Sequence, residues 1–157
     1  MENKTLEIIK KAILMEARGK ALYMEVANKT NSPEVKKIFE LMAAEEQMHI
    51  DFLSEQYKNY SKHGVFVKQN LNAKEDNDIT KLILNVEIKE QISGAGFEAA
   101  AIEAAINFET KAIEYYSKRA EESVDIEEKN LFNWLSNWEK SHYELLIKLD
   151  KELTEKI

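Results

Sequence analysis

Apolar residues recur every three or four positions through four long stretches of the chain, with polar residues filling the positions between them. That period lays one apolar stripe along each of four α-helices. It predicts helices over 5–29, 33–60, 97–123 and 126–155. The first stripe reads Ile9, Ala12, Ile13, Gly19, Tyr23, Val26 and Ala27, and the second Val35, Ile38, Met42, Phe52 and Leu53. The third carries Ile102, Ala105, Ile106, Ala112 and Tyr116, and the fourth Phe132, Leu135, Leu146 and Leu149. Between the first two helices, Ser32 suits an N-cap and Pro33 the first helical position. Between the last two, Ser123 or Asp125 is suited to cap the fourth. Two helical hairpins follow. They are separated by about 36 residues, 61–96, far more than a bundle turn requires, so this segment is expected to cross the bundle lengthwise. It is predicted to hold a further amphipathic helix over Asp78 to Ile92 and a hinge at Ser93-Gly94-Ala95-Gly96. Val65, Phe66 and Val67 suit pinning the segment either to the bundle or to a partner subunit, and His63 reads as a solvated loop residue.

Each stripe is interrupted by polar residues at one level. Glu16 stands in the first, Glu46 and His49 in the second, Glu109 in the third, Glu139 and His142 in the fourth. These interruptions repeat. At an offset of 93 the two hairpins align without a gap: Ala12, Ile13, Glu16, Tyr23 and Ala27 fall on Ala105, Ile106, Glu109, Tyr116 and Ala120. In the second helix of each pair, Phe39, Glu46, His49 and Leu53 fall on Phe132, Glu139, His142 and Leu146. Each half therefore carries one Glu on its first helix and Glu-x-x-His on its second. Glu45, four residues before His49, competes with Glu46 for the inward role, but its repeat counterpart is Trp138, which favours Glu46.

Four carboxylates and two imidazoles at one level of a bundle interior would be untenable alone, because each unpaired buried charge costs several kcal/mol. Two divalent cations would supply four positive charges against the four carboxylates. An i, i+3 Glu and His pair converges on one ion from a single helical face. A Glu from each of two helices plus Glu-x-x-His from each of the other two is the ligand set of di-iron and di-manganese carboxylate bundles. Carboxylate oxygens with one imidazole per metal suit iron(II) or manganese(II); zinc would fit but brings no redox chemistry. The expected ligands are Glu16, Glu46, His49, Glu109, Glu139 and His142. Trp134 and Trp138 are candidates to shield the site or line an interface, although aromatic residues at helical spacing more often serve the core.

Composition narrows the rest. With 44% apolar and 32% charged residues, 4 Gly and 1 Pro in 157 residues, the chain favours helix almost throughout and a single domain over 1–157. Its net charge of -7, with both signs interspersed, argues against nucleic acid as a partner. The absence of cysteine excludes disulfides, thiolate zinc sites and iron–sulfur clusters, so any metal must use oxygen and imidazole. The opening MENKTLEIIKKAILMEARGK mixes charges through its apolar residues, so neither a signal peptide nor a membrane span is expected and a cytoplasmic protein is.

Taken together, ILMEARGKALYMEVA and AAEEQMHIDFL in the first half, with INFETKAIEYYSKRA and LSNWEKSHYELL in the second, resemble the ferritin-like di-iron domain of the rubrerythrin family. The resemblance covers nearly the whole chain. It implies an all-α, ferritin-like four-helix bundle of two antiparallel hairpins joined by a long crossover. It also implies two iron ions, with Glu16, Glu46, Glu109 and Glu139 as ligands or bridges and His49 and His142 as terminal ligands. Tyr23 and Tyr116 resemble the family's tyrosines that donate hydrogen bonds to ligands. Rubrerythrins proper carry a four-cysteine rubredoxin domain, which is missing from this sequence, so an external electron-donor protein is implied. Many also place a further carboxylate one turn beyond the third-helix Glu, where this chain has Ala112. The implied function is a di-iron oxidoreductase that reduces hydrogen peroxide or dioxygen in oxidative-stress defence, acting as a homodimer. The alternatives are ferroxidase-type iron handling and a metal-dependent sensor or structural bundle.

Overall fold

The computed structural model describes residues 3–71 and 96–156. Among them lie four helices and no strand: α1 (Lys4–Lys29), α2 (Pro33–His63), α3 (Phe97–Glu122) and α4 (Ile126–Lys156). The helix expected over 78–92 falls outside the described residues.

Local chemistry sets the ends. Asn3 Oδ1 accepts the Thr5 N–H at 3.1 Å to start α1, and Ser32 Oγ accepts the Val35 N–H at 3.2 Å with Pro33 opening α2. Of the two candidate caps for α4, Asp125 takes the role, its Oδ1 accepting the Glu127 and Glu128 N–H groups at 2.8 and 3.3 Å. Ser123 instead donates back to the Arg119 carbonyl at 2.6 Å. Helix α2 continues almost a turn past residue 60, so His63 is its exposed last residue rather than part of a loop. Gly64 stops it at φ 68°, a left-handed conformation that costs a side-chain-bearing residue about 1 kcal/mol or more.

Helices α1 and α2 pack as one hairpin, α3 and α4 as the other, and α1 also meets α3. Because partners within a hairpin run antiparallel, residues before Glu16 share an end of the bundle with residues after His49. Two apolar clusters result. One gathers Tyr23, Ile38, Phe39, Met42, Ile102 and Leu146; the other gathers Ile9, Leu53, Tyr116, Leu131, Phe132 and Leu135. Each fully buried side chain of this size stabilises the fold by roughly 1.5–3 kcal/mol, and the polar level lies between the clusters. Polar ties fasten the ends: Arg119 holds Glu128 Oε2 through two donors at 2.8 and 2.5 Å, and Thr30 donates to Glu98 at 2.9 Å, linking the first turn to α3. After α2 the chain is pinned to the bundle. Phe66 is buried beside Tyr60, and Gln56 exchanges two hydrogen bonds with the Val67 backbone at 2.6 and 3.0 Å, while Val65 is 51% exposed.

Candidate metal centre

All six side chains expected as ligands come together at the centre of the bundle, with five of them fully inaccessible and His142 1% exposed. Each sits on its helix's inner stripe, so the same periodicity that builds the core delivers them. They form two overlapping groups: Glu16, Glu46, His49 and Glu139, and Glu46, Glu109, Glu139 and His142. Within each group one ligand atom per residue lies within 4.8 Å of all the others. Both imidazoles turn Nδ1 inward. His49 Nδ1 lies 2.7 Å from Glu16, 3.1 Å from Glu139 and 3.7 Å from Glu46. His142 Nδ1 lies 3.3 Å from Glu46, 3.6 Å from Glu109 and 3.7 Å from Glu139. Glu46 and Glu139 belong to both groups.

The donor set fits a pair of cations. Both carboxylate oxygens of Glu46 and of Glu139, one oxygen each of Glu16 and Glu109, and His142 Nδ1 are buried without a hydrogen-bond partner. So many orphaned acceptors would cost roughly 1–3 kcal/mol apiece if nothing positive satisfied them. The electrostatics agree. Burial, followed by repulsion from Glu139, raises the Glu16 carboxyl, and it raises those of Glu46 and Glu109 well above the ordinary range. Burial pushes Glu139 upward too, but the facing Glu109 carboxyl and the His142 and His49 rings, which favour its charged form, outweigh it and hold Glu139 well below. Burial would lower His49, yet the neighbouring carboxylates, Glu16 foremost, lift it to about 9. His142 is raised well above 6.5 by Glu109, Glu139, Glu45 and Glu46 against the same burial. A set of acids and imidazoles that retains protons beyond their usual range is one whose protons divalent cations can replace.

The surrounding residues divide unevenly. The Tyr23 hydroxyl donates to Glu109 Oε1. Tyr116 occupies the equivalent repeat position, but its hydroxyl points to the Ala12 carbonyl at 3.5 Å, so the hydrogen bond to a ligand expected of it is not made. Its backbone lies in the same register; the two rings differ in which acceptor they reach. Trp134 and Trp138 stand edge-on to His49 with centroids at 5.2 and 5.6 Å, walling that imidazole off. Glu46, as expected, is the inward carboxylate of the adjacent pair. Glu45 nevertheless has a place the sequence reading missed: its Oε1 lies 2.7 Å from His142 Nε2. Its four-residue spacing to His49 could not reveal this, because its partner, His142, is on α4. Gly19, three residues past Glu16, is pressed against Glu46 and Phe108, and its repeat counterpart Ala112 is fully buried. Both halves thus keep a small residue one turn beyond the first-helix carboxylate. No helix among the described residues is long and apolar enough to cross a membrane.

Comparison with curated proteins and with solved structures returned no match. The family model described as Rubrerythrin matches residues 7–150, a span that contains all six clustered carboxylates and imidazoles, and the chain belongs to that family.

Proposed function

We propose that this chain is a di-iron oxidoreductase that reduces hydrogen peroxide or dioxygen, supplied with electrons by a separate donor protein. The observation that carries this reading is the pair of four-residue groups sharing Glu46 and Glu139, a donor set for two ions held side by side. When bound there, two iron(II) ions supply the two electrons that, with two protons, split a peroxide O–O bond into two waters. The chain's own groups do the rest. Glu46 and Glu139, common to both groups, would serve both ions, with Glu16 and His49 completing one set of donors and Glu109 and His142 the other. Tyr23, its hydroxyl held neutral by burial and by Glu109, keeps its proton and orients the Glu109 carboxylate. The two apolar clusters exclude water from either end. Ala112, one turn beyond Glu109, has no side-chain donor atom, so that turn of α3 offers no seventh ligand.

The test is anaerobic loading with iron(II) followed by stopped-flow mixing with peroxide or with air-saturated buffer. About two irons per chain and oxidation much faster with peroxide support the peroxidase reading. Faster oxidation by air, with a large hollow assembly by light scattering, would instead favour iron handling. Retention of both ions in Glu46→Ala and Glu139→Ala would sink the two-metal centre altogether.

A further inference from the structure

The 93-residue repeat makes the two halves of the centre nearly equivalent: Glu16 with Glu109, Glu46 with Glu139, His49 with His142, Tyr23 with Tyr116, Phe39 with Phe132. Any lasting difference between the two metal positions must therefore come from residues that break the repeat or from repeat partners whose contacts differ, and one break beside the imidazoles is Glu45 opposite Trp138. On one side, Glu45 Oε1 lies 2.7 Å from His142 Nε2, and its side chain is 14% exposed. A carboxylate accepting there holds a proton on Nε2, keeps Nδ1 turned toward Glu46, Glu109 and Glu139, and would make that nitrogen a stronger donor to an ion held among them. On the other side, His49 Nε2 is buried with no hydrogen-bond partner, and the Trp134 and Trp138 rings stand edge-on around the imidazole at 73° and 64°. Aromatic surroundings neither fix the tautomer of that ring nor strengthen its donor atom to the same degree. A difference in contacts between two residues that the repeat does conserve points the same way. Tyr23 gives its hydrogen bond to Glu109, whereas Tyr116 turns to the Ala12 carbonyl. Both outer contacts fall on the group of Glu46, Glu109, Glu139 and His142; the group of Glu16, Glu46, Glu139 and His49 has neither.

We infer that Glu45 is a positioning residue which, through His142, makes the Glu46, Glu109, Glu139 and His142 position the tighter of two unequal metal positions, leaving the His49 position as the exchangeable one. The inference rests on the two-metal reading above. Outer partners of metal ligands typically contribute 10–100-fold in affinity, so the two positions are expected to fill in separate steps.

Anaerobic titration of the metal-stripped protein with cobalt(II) chloride, followed by visible absorption and calorimetry, resolves those steps. Two cobalt ions per chain with affinities at least about tenfold apart are expected. Glu45→Gln keeps an acceptor but removes the charge, and should weaken the tighter step about tenfold with the weaker one unmoved; Glu45→Ala should weaken it further. Two equal steps in wild type, an equal loss in both steps, or no loss in either would overturn the inference while leaving the two-metal centre standing. Fewer than two cobalt ions in wild type would remove the centre itself.

Discussion

Gly19 lies where an ordinary helix-stabilising substitution is expected to fail. In a free helix interior, Gly→Ala gains about 1 kcal/mol through backbone entropy. At Gly19 the added Cβ would stand 2.7 Å from Phe108 Cε1, 2.8 Å from Glu46 Oε2 and 2.9 Å from Phe108 Cζ. Those separations are well inside normal contact, so the ring and the carboxylate must both move. Phe108 is only half-buried and its ring can swing outward, which keeps the steric cost near the lower end of the roughly 1–3 kcal/mol typical of overpacking. Set against the propensity gain, Gly19→Ala should lower the stability of metal-stripped protein by about 1 kcal/mol or less, a fall of roughly 2–4 °C at most in Tm. The larger effect should appear in metal binding. Glu46 serves both groups, and displacing it should weaken cobalt(II) binding on the order of tenfold, comparable to loss of an outer partner. Thermal melting of chelator-treated protein and anaerobic cobalt titration measure the two effects separately. A variant that melts higher than wild type and binds cobalt equally well would refute the reasoning, because Glu46 would then have been free to move without consequence.

Three other perturbations follow from the same geometry. Tyr23→Phe should cost about 1–3 kcal/mol in urea unfolding, since it strips a buried carboxylate of its donor, whereas Tyr116→Phe, with only a 3.5 Å contact to lose, should stay within about 0.5 kcal/mol; equal costs would show that the two rings are equivalent after all. The metal-stripped protein should lose stability as pH rises, because His49 binds its proton more tightly folded than unfolded: that contribution, on the order of 3 kcal/mol, is complete below pH 6.5 and gone above about 9. The raised Glu16, Glu46 and Glu109 act in the same direction above their ordinary range, the depressed Glu139 is lost only on acidification, and metal-dependent stabilisation should grow with pH as these protons are displaced; urea curves with and without cobalt(II) from pH 6 to 9.5 that ran parallel would contradict this. Ser32→Ala, which removes the α2 cap far from the centre, should lower stability by about 1 kcal/mol without changing cobalt stoichiometry, and a loss of bound metal would mean that the hairpin turn governs the site.

Most of the helical frame can be read directly from the residues. Period, caps and a proline at the start of α2 place its boundaries within a few positions, because each is a local property of backbone hydrogen bonding; the extra stretch of α2 to His63 was missed because Gly64, not the apolar stripe, ends it. The six central side chains are legible for a related reason: a repeat at fixed offset, with i, i+3 spacing inside each stripe, constrains their level and their facing direction together. Glu45 could not be read this way. It is one residue from Glu46 and so turned about 100° away on the helix, and nothing in α2 alone reveals that His142 of α4 lies on that side. The same holds for Gly19, whose small size is demanded by Glu46 and Phe108 on other helices, and for Tyr116, whose place in the repeat matches Tyr23 while its acceptor does not. Sequence by itself determined where the four described helices run to within a few residues and which polar residues stand on their inner stripes, since both follow from periodicity along one chain. Tertiary structure alone decided which inward groups share a position and which have an outer partner, since those contacts depend on the relative placement of helices distant in sequence, a relation no single-helix pattern contains.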